Sequence, residues 1–142
     1  MARKLKILVS YFSASGVTRR KASELASTVG GDLLEIIPKQ RYTQEDLNWM
    51  DKNSRSSKEI KEKDYRPEIE DINIDVNSYD TIYVGFPIWW GIAPNVVKTF
   101  LDTIDFTNKK VITFCTSGGS PLTFATKDLK ETYPNASIEN GR

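Results

Sequence analysis

The fold is decided near the start of the chain, where residues 6–37 read KILVSYFSASGVTRRKASELASTVGGDLLEII. The apolar run from Lys6 to Phe12 ends in small polar residues, as expected of a strand that is buried on both faces of a parallel sheet. Apolar residues then recur at helical spacing from Thr18 to Val29, where Gly30-Gly31 stops the helix. Asp32 to Ile37 reads as a second buried strand. The chain therefore opens as strand, helix, strand.

The same alternation returns in the second half of the chain. Buried strands are predicted for Thr81–Phe86 and Lys110–Cys115, each followed by a loop and a helix with one apolar face, and Ala136–Glu139 is a short fifth strand. Strands that alternate with helices through right-handed crossovers build a doubly wound parallel sheet with helices on both faces. We predict a single α/β domain over residues 1–142.

Residues 39–75 interrupt the alternation of strands and helices. We predict that they form a surface insertion between strands two and three. Within it, Thr43 to Asp46 has the pattern of a capping box, and Ser54 to Lys63 predicts a short polar helix. The charge run Lys58–Lys63 is interpreted as a solvated helix face with i,i+4 pairing.

Composition excludes several classes of function. The 142 residues include 20 basic and 19 acidic side chains, so charge gives no argument for a nucleic-acid or membrane partner. Histidine is absent, which removes the commonest general base and the commonest metal ligand. The single cysteine, Cys115, belongs to the apolar run that begins at Val111 and is expected to be a packed thiol. No signal peptide is recognisable and no apolar run approaches the ~20 residues of a membrane span, so we expect a cytoplasmic protein.

Three unusual loops follow predicted strands one, three and four, and ligands of an open α/β sheet bind beyond such strand ends. The first loop, Ser13–Thr18, brings hydroxyls and a glycine to a helix start, whose free N–H groups attract phosphate. A plain N-cap turn is the alternative. The loop lacks the Gly-Lys-Ser/Thr ending of a nucleoside-triphosphate loop and the three-glycine dinucleotide fingerprint.

The second and third loops carry features suited to a planar ligand. Trp89 and Trp90 follow Pro87 in a region where loops are usually solvated, so they either stack on a flat ring or cover the start of the next helix. Gly91 allows the preceding peptide to rotate and to offer its C=O or N–H to a ring nitrogen. The third loop, Thr116–Ser120, offers two glycines and three hydroxyls to a polar ring edge. Any redox chemistry must then come from a bound group.

At these residues the sequence resembles the flavodoxins, specifically the short flavodoxin-like proteins with a Pro-Ile-Trp-Trp-Gly loop, over essentially the whole chain. The resemblance implies a five-stranded sheet of order 2-1-3-4-5 and one bound FMN, whose phosphate is held without a basic residue. It implies no catalytic side chain and no metal. The residues that it implies for the cofactor are Ser13, Ser15, Gly16, Val17 and Thr18 at the phosphate, Pro87, Ile88, Trp89, Trp90 and Gly91 beside the flavin ring, and Thr116, Ser117, Gly118 and Gly119 at its pyrimidine side.

The function implied by the resemblance is electron transfer between redox partner proteins, with a flavin that cycles between oxidised, semiquinone and hydroquinone states. Rotation of the Trp90-Gly91 peptide is a hypothesis for how the chain responds to one-electron reduction. Two alternatives stay open: an NAD(P)H-dependent quinone or flavin reductase of the same fold, and a flavin-free structural or partner-binding module. A signalling receiver domain is disfavoured, because Ser10-Tyr11-Phe12 offers no acidic cluster.

Two features depart from the flavodoxin pattern. Mobile carriers of this family are commonly strongly acidic, whereas this chain is nearly neutral. Only Asn140, Gly141 and Arg142 follow the last predicted strand, so the helix that would close one face of the sheet is missing. We expect either a longer natural chain or a homodimer that covers an apolar stripe on that face.

Overall fold

The computed structural model describes residues 6–14, 16–48, 50–62, 64–116 and 122–141. The strands in these ranges are β1 (Ile7–Tyr11), β2 (Asp32–Glu35), β3 (Thr81–Pro87), β4 (Lys110–Thr116) and β5 (Ser137–Asn140). The helices are α1 (Val17–Val29), α2 (Arg55–Lys61), α3 (Asn95–Leu101) and α4 (Leu122–Thr132), with a short 3-10 turn at Val76–Ser78. The alternation of strands and helices predicted from the sequence is confirmed.

The five strands form one parallel sheet in the order β2-β1-β3-β4-β5, as predicted. In the register of the sheet, Tyr11 lies opposite Gly85 and Pro87 lies opposite Thr116. The carboxyl ends of β1, β3 and β4 therefore meet at one edge. The order reverses between β1 and β3, which is where a doubly wound sheet opens a crevice.

The two faces of the sheet are covered unequally. On one face, Ala22 and Ala26 of α1 pack with Val9, Tyr11 and Phe114. The larger core lies on the other face beneath α3 and α4. Its fully buried side chains include Leu8, Ile82, Val84, Phe86, Val96, Val97, Phe100, Leu101, Val111 and Leu129. Each such side chain contributes roughly 1.5–3 kcal/mol through burial, so this second face carries most of the hydrophobic stabilisation.

On the face that α1 covers, α1 is the only described helix whose side chains join the core. Beyond it the same face carries the half-buried side chains of Tyr83 and Ile112. It also carries an exposed ion pair, with Lys110 Nζ 2.9 Å from Glu139 Oε1. No closing helix follows β5 in the described residues, and the open part of this face mixes apolar and charged groups.

Gly85 of β3 gives room to an aromatic ring from the neighbouring strand. The ring of Phe114 lies over it and is 1% exposed. A Cβ atom added at Gly85 would lie 2.1 Å from Cζ of that ring and 2.2 Å from Cε2. The ring is held in the cluster with Ala22 and Ala26, so it has no free space to withdraw into. A glycine inside this strand is therefore required by close approach, not by a turn.

We expect Gly85→Ala to lower the free energy of unfolding by about 1–3 kcal/mol, because the added methyl group overpacks the core. Urea denaturation followed by circular dichroism measures the change. Adding Phe114→Leu to Gly85→Ala should recover part of the loss, since the two side chains compete for one volume. A Gly85→Ala protein as stable as the parent would contradict this account of the packing.

Residues 39–75, called the excursion below, leave the sheet after β2 and return beside their starting point. Pro38 pairs with Ile69 in an antiparallel bridge. The N–H of Lys39 donates to the carbonyl of Glu68 at 2.9 Å. These contacts close the excursion at its base.

The excursion contains the two local features predicted from its sequence, in altered form. The N–H of Thr43 donates to the Asp46 carboxylate at 2.9 Å and the N–H of Asp46 donates to the Thr43 hydroxyl at 3.1 Å, which are the reciprocal bonds of a capping box. These bonds stabilise a single turn at residues 44–47, which does not continue into a regular helix. Helix α2 begins after Ser54, whose hydroxyl accepts from the N–H of Ser57, and it ends at Lys61.

Candidate functional site

The first loop joins β1 to α1 and presents the start of that helix. Gly16 precedes the helix at φ +92°, and its N–H donates to Ser13 Oγ at 2.9 Å. A Cβ atom at Gly16 would meet nothing within 4 Å, so the positive φ alone requires glycine there. Among the described residues no side chain caps α1, so the first-turn N–H groups remain donors for a ligand.

A direct contact joins the first loop to the third. The hydroxyl oxygens of Thr18 and Thr116 are 2.7 Å apart, and Thr18 is buried. Lys21, one turn further along α1, donates from Nζ to the carbonyl of Cys115 at 2.7 Å. Lys21 was not among the residues predicted from the sequence, although its i+3 spacing from Thr18 was an available signal. Burial raises the pKa of the Cys115 thiol, with a smaller opposing effect from the Lys21 charge.

The second loop is a tight turn after β3. The N–H of Trp89 donates to the carbonyl of Ile92 at 2.9 Å, and the N–H of Ile92 donates back at 3.1 Å. Between them, Trp90 has φ +49° and Gly91 has φ +83°, as in a type I′ turn. Left-handed backbone is costly for a residue with a large side chain, so Trp90 is strained where Gly91 is not.

The two adjacent indoles have different environments. Trp89 is half-buried, with its ring centroid 5.8 Å from that of Phe12 and 5.3 Å from that of Tyr42, both edge-on. The side chain of Trp90 is 48% exposed. Trp89 therefore packs as part of the structure, whereas Trp90 presents an aromatic face to solvent.

Ten of the fourteen residues named from the sequence for the cofactor lie within the described ranges, and the structure brings them to one edge of the sheet. They are Ser13, Gly16, Val17, Thr18, Pro87, Ile88, Trp89, Trp90, Gly91 and Thr116. The other four, which lie outside the described ranges, are Ser15, Ser117, Gly118 and Gly119. A role in cofactor binding stays a prediction for all fourteen.

A buried cluster fastens the excursion beside the second loop, and we call it the Glu59 cluster. The Tyr42 hydroxyl donates to one carboxylate oxygen of Glu59, and Arg55 Nε donates to the other at 2.8 Å. The Arg55 guanidinium also lies 3.9 Å from the centre of the Tyr42 ring. Asn95 of α3 donates from its side chain to the Glu59 carbonyl at 2.7 Å. Since Tyr42 also touches Trp89, the cluster connects α2, α3 and the second loop.

The interpretation of residues 58–63 as a solvated helix face is wrong for Glu59. Its side chain is only 6% exposed, and its i,i+4 partner is Arg55, which precedes the charge run. Sequence periodicity could not reveal this, because the remaining partners of Glu59 come from outside the helix.

Among the described residues, the hydroxyls of three tyrosines donate to carboxylates in the contacts Tyr42 to Glu59, Tyr79 to Asp32 and Tyr133 to Asp102. The hydrogen bond to Asp32, with burial as a second cause, raises the pKa of Tyr79 to about 12 from its ordinary 10.0. Burial first and the carboxylate second also raise the pKa values of Tyr42 and Tyr133. All three phenols are thus harder to ionise in the folded chain.

The sign of the pH dependence follows from these directions. A phenol whose pKa is higher when folded stabilises the fold below its unfolded pKa, and the stabilisation is lost as the pH rises through the folded value. We therefore expect the free energy of unfolding to fall progressively above about pH 10. Urea denaturation at a series of pH values measures it. In Tyr79→Phe the decline should be shallower, and a parent protein with flat stability between about pH 9 and pH 11 would contradict the expectation.

A cavity of about 300 Å³ opens beside the first loop. The residues that line it include Phe12, Ser13, Gly16, Arg19 and Glu35. Arg19 Nη2 is 2.7 Å from Glu35 Oε2, so the Arg19 charge is already paired. Arg41 of the excursion also lines the cavity, so a bound anion would meet N–H and hydroxyl donors of the first loop and one further guanidinium group.

Within the described ranges, no three His, Cys, Asp or Glu side chains come together to hold a metal ion. No helix of these ranges has both the length and the apolar character that crossing a membrane requires.

The fold and the site define a class of protein: an open, doubly wound α/β domain with a ligand crevice at the carboxyl edge of β1, β3 and β4. A family model described as flavodoxin matches residues 6–142. The chain belongs to the flavodoxin family, and the resemblance noted in its loops is confirmed at the level of the family.

Solved structures agree with this assignment. A candidate flavoprotein from Bacteroides eggerthii is 44% identical with a TM-score of 0.95, and the match covers 98% of this chain and 87% of that one. A candidate flavoprotein from Bacteroides uniformis is 45% identical with a TM-score of 0.94, covering 99% and 90%. A Lactobacillus acidophilus flavoprotein in complex with FMN is 28% identical with a TM-score of 0.76, covering 96% and 91%. No curated protein matches the sequence.

Proposed function

We propose that this chain binds one FMN at the carboxyl edge of its sheet and transfers electrons between redox partner proteins. The observation that carries the proposal is Trp90, which is 48% exposed and held at φ +49°. Exposure and backbone strain together are explained by a planar ligand that stacks on the indole. The FMN complex of the Lactobacillus acidophilus relative supports FMN as that ligand.

The start of α1 suits the phosphate of FMN. Its first-turn N–H groups are not capped by a described side chain, and Gly16 leaves open space in front of them. Arg19 is paired with Glu35, and the other arginine that lines the cavity, Arg41, belongs to the excursion, so we assign the phosphate to the N–H and hydroxyl groups of the loop itself. Ser13, Ser15, Val17 and Thr18 complete the proposed phosphate site.

The second and third loops suit the flavin ring. The hydrogen bond between Thr18 and Thr116 links the proposed phosphate site to the third loop, where residues 117–119 follow. The N–H of Ile88 donates to the Thr116 carbonyl at 3.2 Å, which links the second loop to the same point. FMN, when bound, supplies the electron-transfer chemistry, while the chain binds it, orients it and limits its contact with water.

Titration of the flavin-free protein with FMN tests the binding part of the proposal. We expect one FMN per chain, seen as quenching of flavin and tryptophan fluorescence. Riboflavin, which lacks the phosphate, should bind at least about tenfold more weakly, because it makes no charge-assisted bonds at α1. Equal affinity for FMN and riboflavin would contradict the phosphate site, and absence of binding would support a flavin-free module instead.

The electron-transfer part needs a separate measurement on the FMN-loaded protein. We expect no steady consumption of NADH or NADPH when a quinone is added, because a carrier exchanges electrons with protein partners. Sustained consumption would identify a reductase and overturn the carrier proposal.

Gly91→Val tests whether the Trp90-Gly91 peptide rotates when the bound flavin takes up one electron. Gly91 lies at φ +83°, where a β-branched residue is strongly disfavoured, although a Cβ atom there would meet no neighbour within 4 Å. We expect the long-wavelength absorbance that develops midway through a dithionite titration to be smaller in Gly91→Val. Gly30→Val places the same β-branched side chain at φ +68°, at the far end of α1 and also without a neighbour within 4 Å, and should leave that absorbance unchanged. Identical titrations of the parent and Gly91→Val would eliminate the rotation hypothesis.

We further propose a cytoplasmic protein that associates with itself through the open part of the face that α1 covers. The half-buried Tyr83 and Ile112 supply apolar surface there. A molar mass from light scattering tests the association, and a monomer at all concentrations would exclude it.

A further inference from the structure

A second cavity, of about 770 Å³, lies between the excursion and the second loop, which carries Trp90. Its volume is within the range of small-molecule sites. The residues that line it are Met50, Lys52, Ser57, Ile60, Lys61, Trp90 and Ile92. None of these described residues belongs to the first or the third loop, so the cavity is separate from the proposed phosphate site.

The wall of this cavity on the side of the excursion is fixed in place. Helix α2, which carries Ser57, Ile60 and Lys61, is capped by Ser54 and held by the Glu59 cluster. Asn95 secures the end of α2 by donating to the carbonyls of Glu59 at 2.7 Å and Glu62 at 2.9 Å. A ligand would therefore meet a preformed wall, which lowers the entropic cost of binding.

The lining of this cavity combines apolar side chains with positive charge. Ile60 and Ile92 are half-buried, Met50 is 74% exposed and Trp90 is 48% exposed, so apolar surface faces the cavity from both sides. Lys52 and Lys61 add two ammonium groups, and no carboxylate of a described residue lines the cavity. Together these groups suit a planar molecule that stacks on an indole and carries an acidic group.

We infer that this cavity binds a planar aromatic anion as a second small ligand, in addition to the proposed FMN. The aromatic rings lie between the apolar side chains of the excursion and the side of the Trp90 indole that lines this cavity, which leaves the opposite side of the indole for the proposed FMN. The anionic group pairs with Lys52 and Lys61. The site extends the proposed function, because it puts a small molecule on the loop that we assign to the flavin.

Naphthalene-2-carboxylate and its uncharged amide, naphthalene-2-carboxamide, are matched probes for this site. Each is titrated into the FMN-loaded protein while two-dimensional NMR follows the Trp90 indole N–H and the backbone amides of residues 57–61. We expect the carboxylate to shift these signals, to bind at least about tenfold more tightly than the amide and to leave FMN bound. Lys52→Gln combined with Lys61→Gln should weaken carboxylate binding about tenfold.

Lys58→Gln is the matched control, because Lys58 lies on α2 but does not line the cavity. It should change carboxylate binding by less than about twofold. Equal binding of the two probes, or unchanged binding in the double variant, would overturn the inference. Stoichiometric release of FMN by the probe would also overturn it, since the cavity would then be part of the flavin site. If the protein takes up no FMN, the same titration on the flavin-free chain tests this cavity by the same criteria, independently of the proposed function.

Discussion

Trp90→Ala is expected to weaken FMN binding by between about tenfold and a hundredfold, which is the loss that removal of one stacking partner produces. The indole is half exposed in the flavin-free chain, so its truncation removes little internal packing. The substitution also relieves little of the strain, because alanine at φ +49° is still left-handed. Fluorescence titration with FMN measures the affinity, and thermal unfolding of the flavin-free protein should be nearly unaltered.

Two further variants test whether the loss of FMN affinity is specific to the aromatic ring of Trp90. Trp90→Phe keeps an aromatic ring and should recover most of the affinity. Tyr65→Ala removes another exposed aromatic side chain from the excursion and should leave FMN binding unchanged. If Trp90→Ala binds FMN as tightly as the parent does, the indole is not a stacking surface and the main support of the proposed function is lost.

Glu59→Ala should lower the free energy of unfolding by about 3–5 kcal/mol, the usual cost of removing one member of a buried ion pair. Without that carboxylate, the Arg55 guanidinium keeps its bond to the Gln40 carbonyl but loses its ion pair, and the Tyr42 hydroxyl loses its acceptor. The side chains of Arg55 and Glu59 are only 15% and 6% exposed, so solvent replaces the carboxylate poorly. Urea denaturation is the measurement. Because Tyr42 also packs against Trp89, the loss should be accompanied by a change in tryptophan fluorescence of the folded protein.

The matched control for Glu59→Ala is a substitution at Glu62, the next acidic residue in the sequence. The side chain of Glu62 is exposed, so Glu62→Ala should alter stability by no more than about 0.5 kcal/mol. Replacing the pair together, with Arg55→Met and Glu59→Leu, should cost less than Glu59→Ala alone, since no unpaired charge is left behind. A mild effect of Glu59→Ala would mean that water reaches Arg55 and Tyr42 when the carboxylate is gone.

The sheet and its helices were predictable because each depends on signals within a short stretch of sequence. Runs such as Ile7–Tyr11 carry a strand pattern in five residues, and Gly30 marks the end of α1 where its left-handed φ is needed. Alternation and handedness limit the sheet to a few doubly wound orders, and the particular order was expected from the resemblance to the flavodoxins. The three loops were found for the same reason, since the ends of parallel strands meet at one edge.

The features that escaped prediction depend on contacts between distant parts of the chain. The Glu59 side chain is buried by Tyr42, seventeen positions away, and the Glu59 carbonyl is bonded to Asn95, thirty-six positions away. In the sequence alone, Glu59 therefore looks like any exposed charge on a polar helix. Lys98 is a second case. Its buried ion pair with Asp128 joins α3 to α4, and both helices were predicted only from their apolar residues.

The closed base of the excursion limits how much a change in the length of this segment costs. Because Lys39 and Glu68 are already hydrogen-bonded, the segment between them begins and ends at one point of the framework. The entropic cost of closing such a segment rises by only about 0.6 kcal/mol for each doubling of its length. A longer or shorter segment could therefore reshape the neighbouring cavity at little cost in closure entropy, provided that the contacts that fasten it to α3 and the second loop are kept.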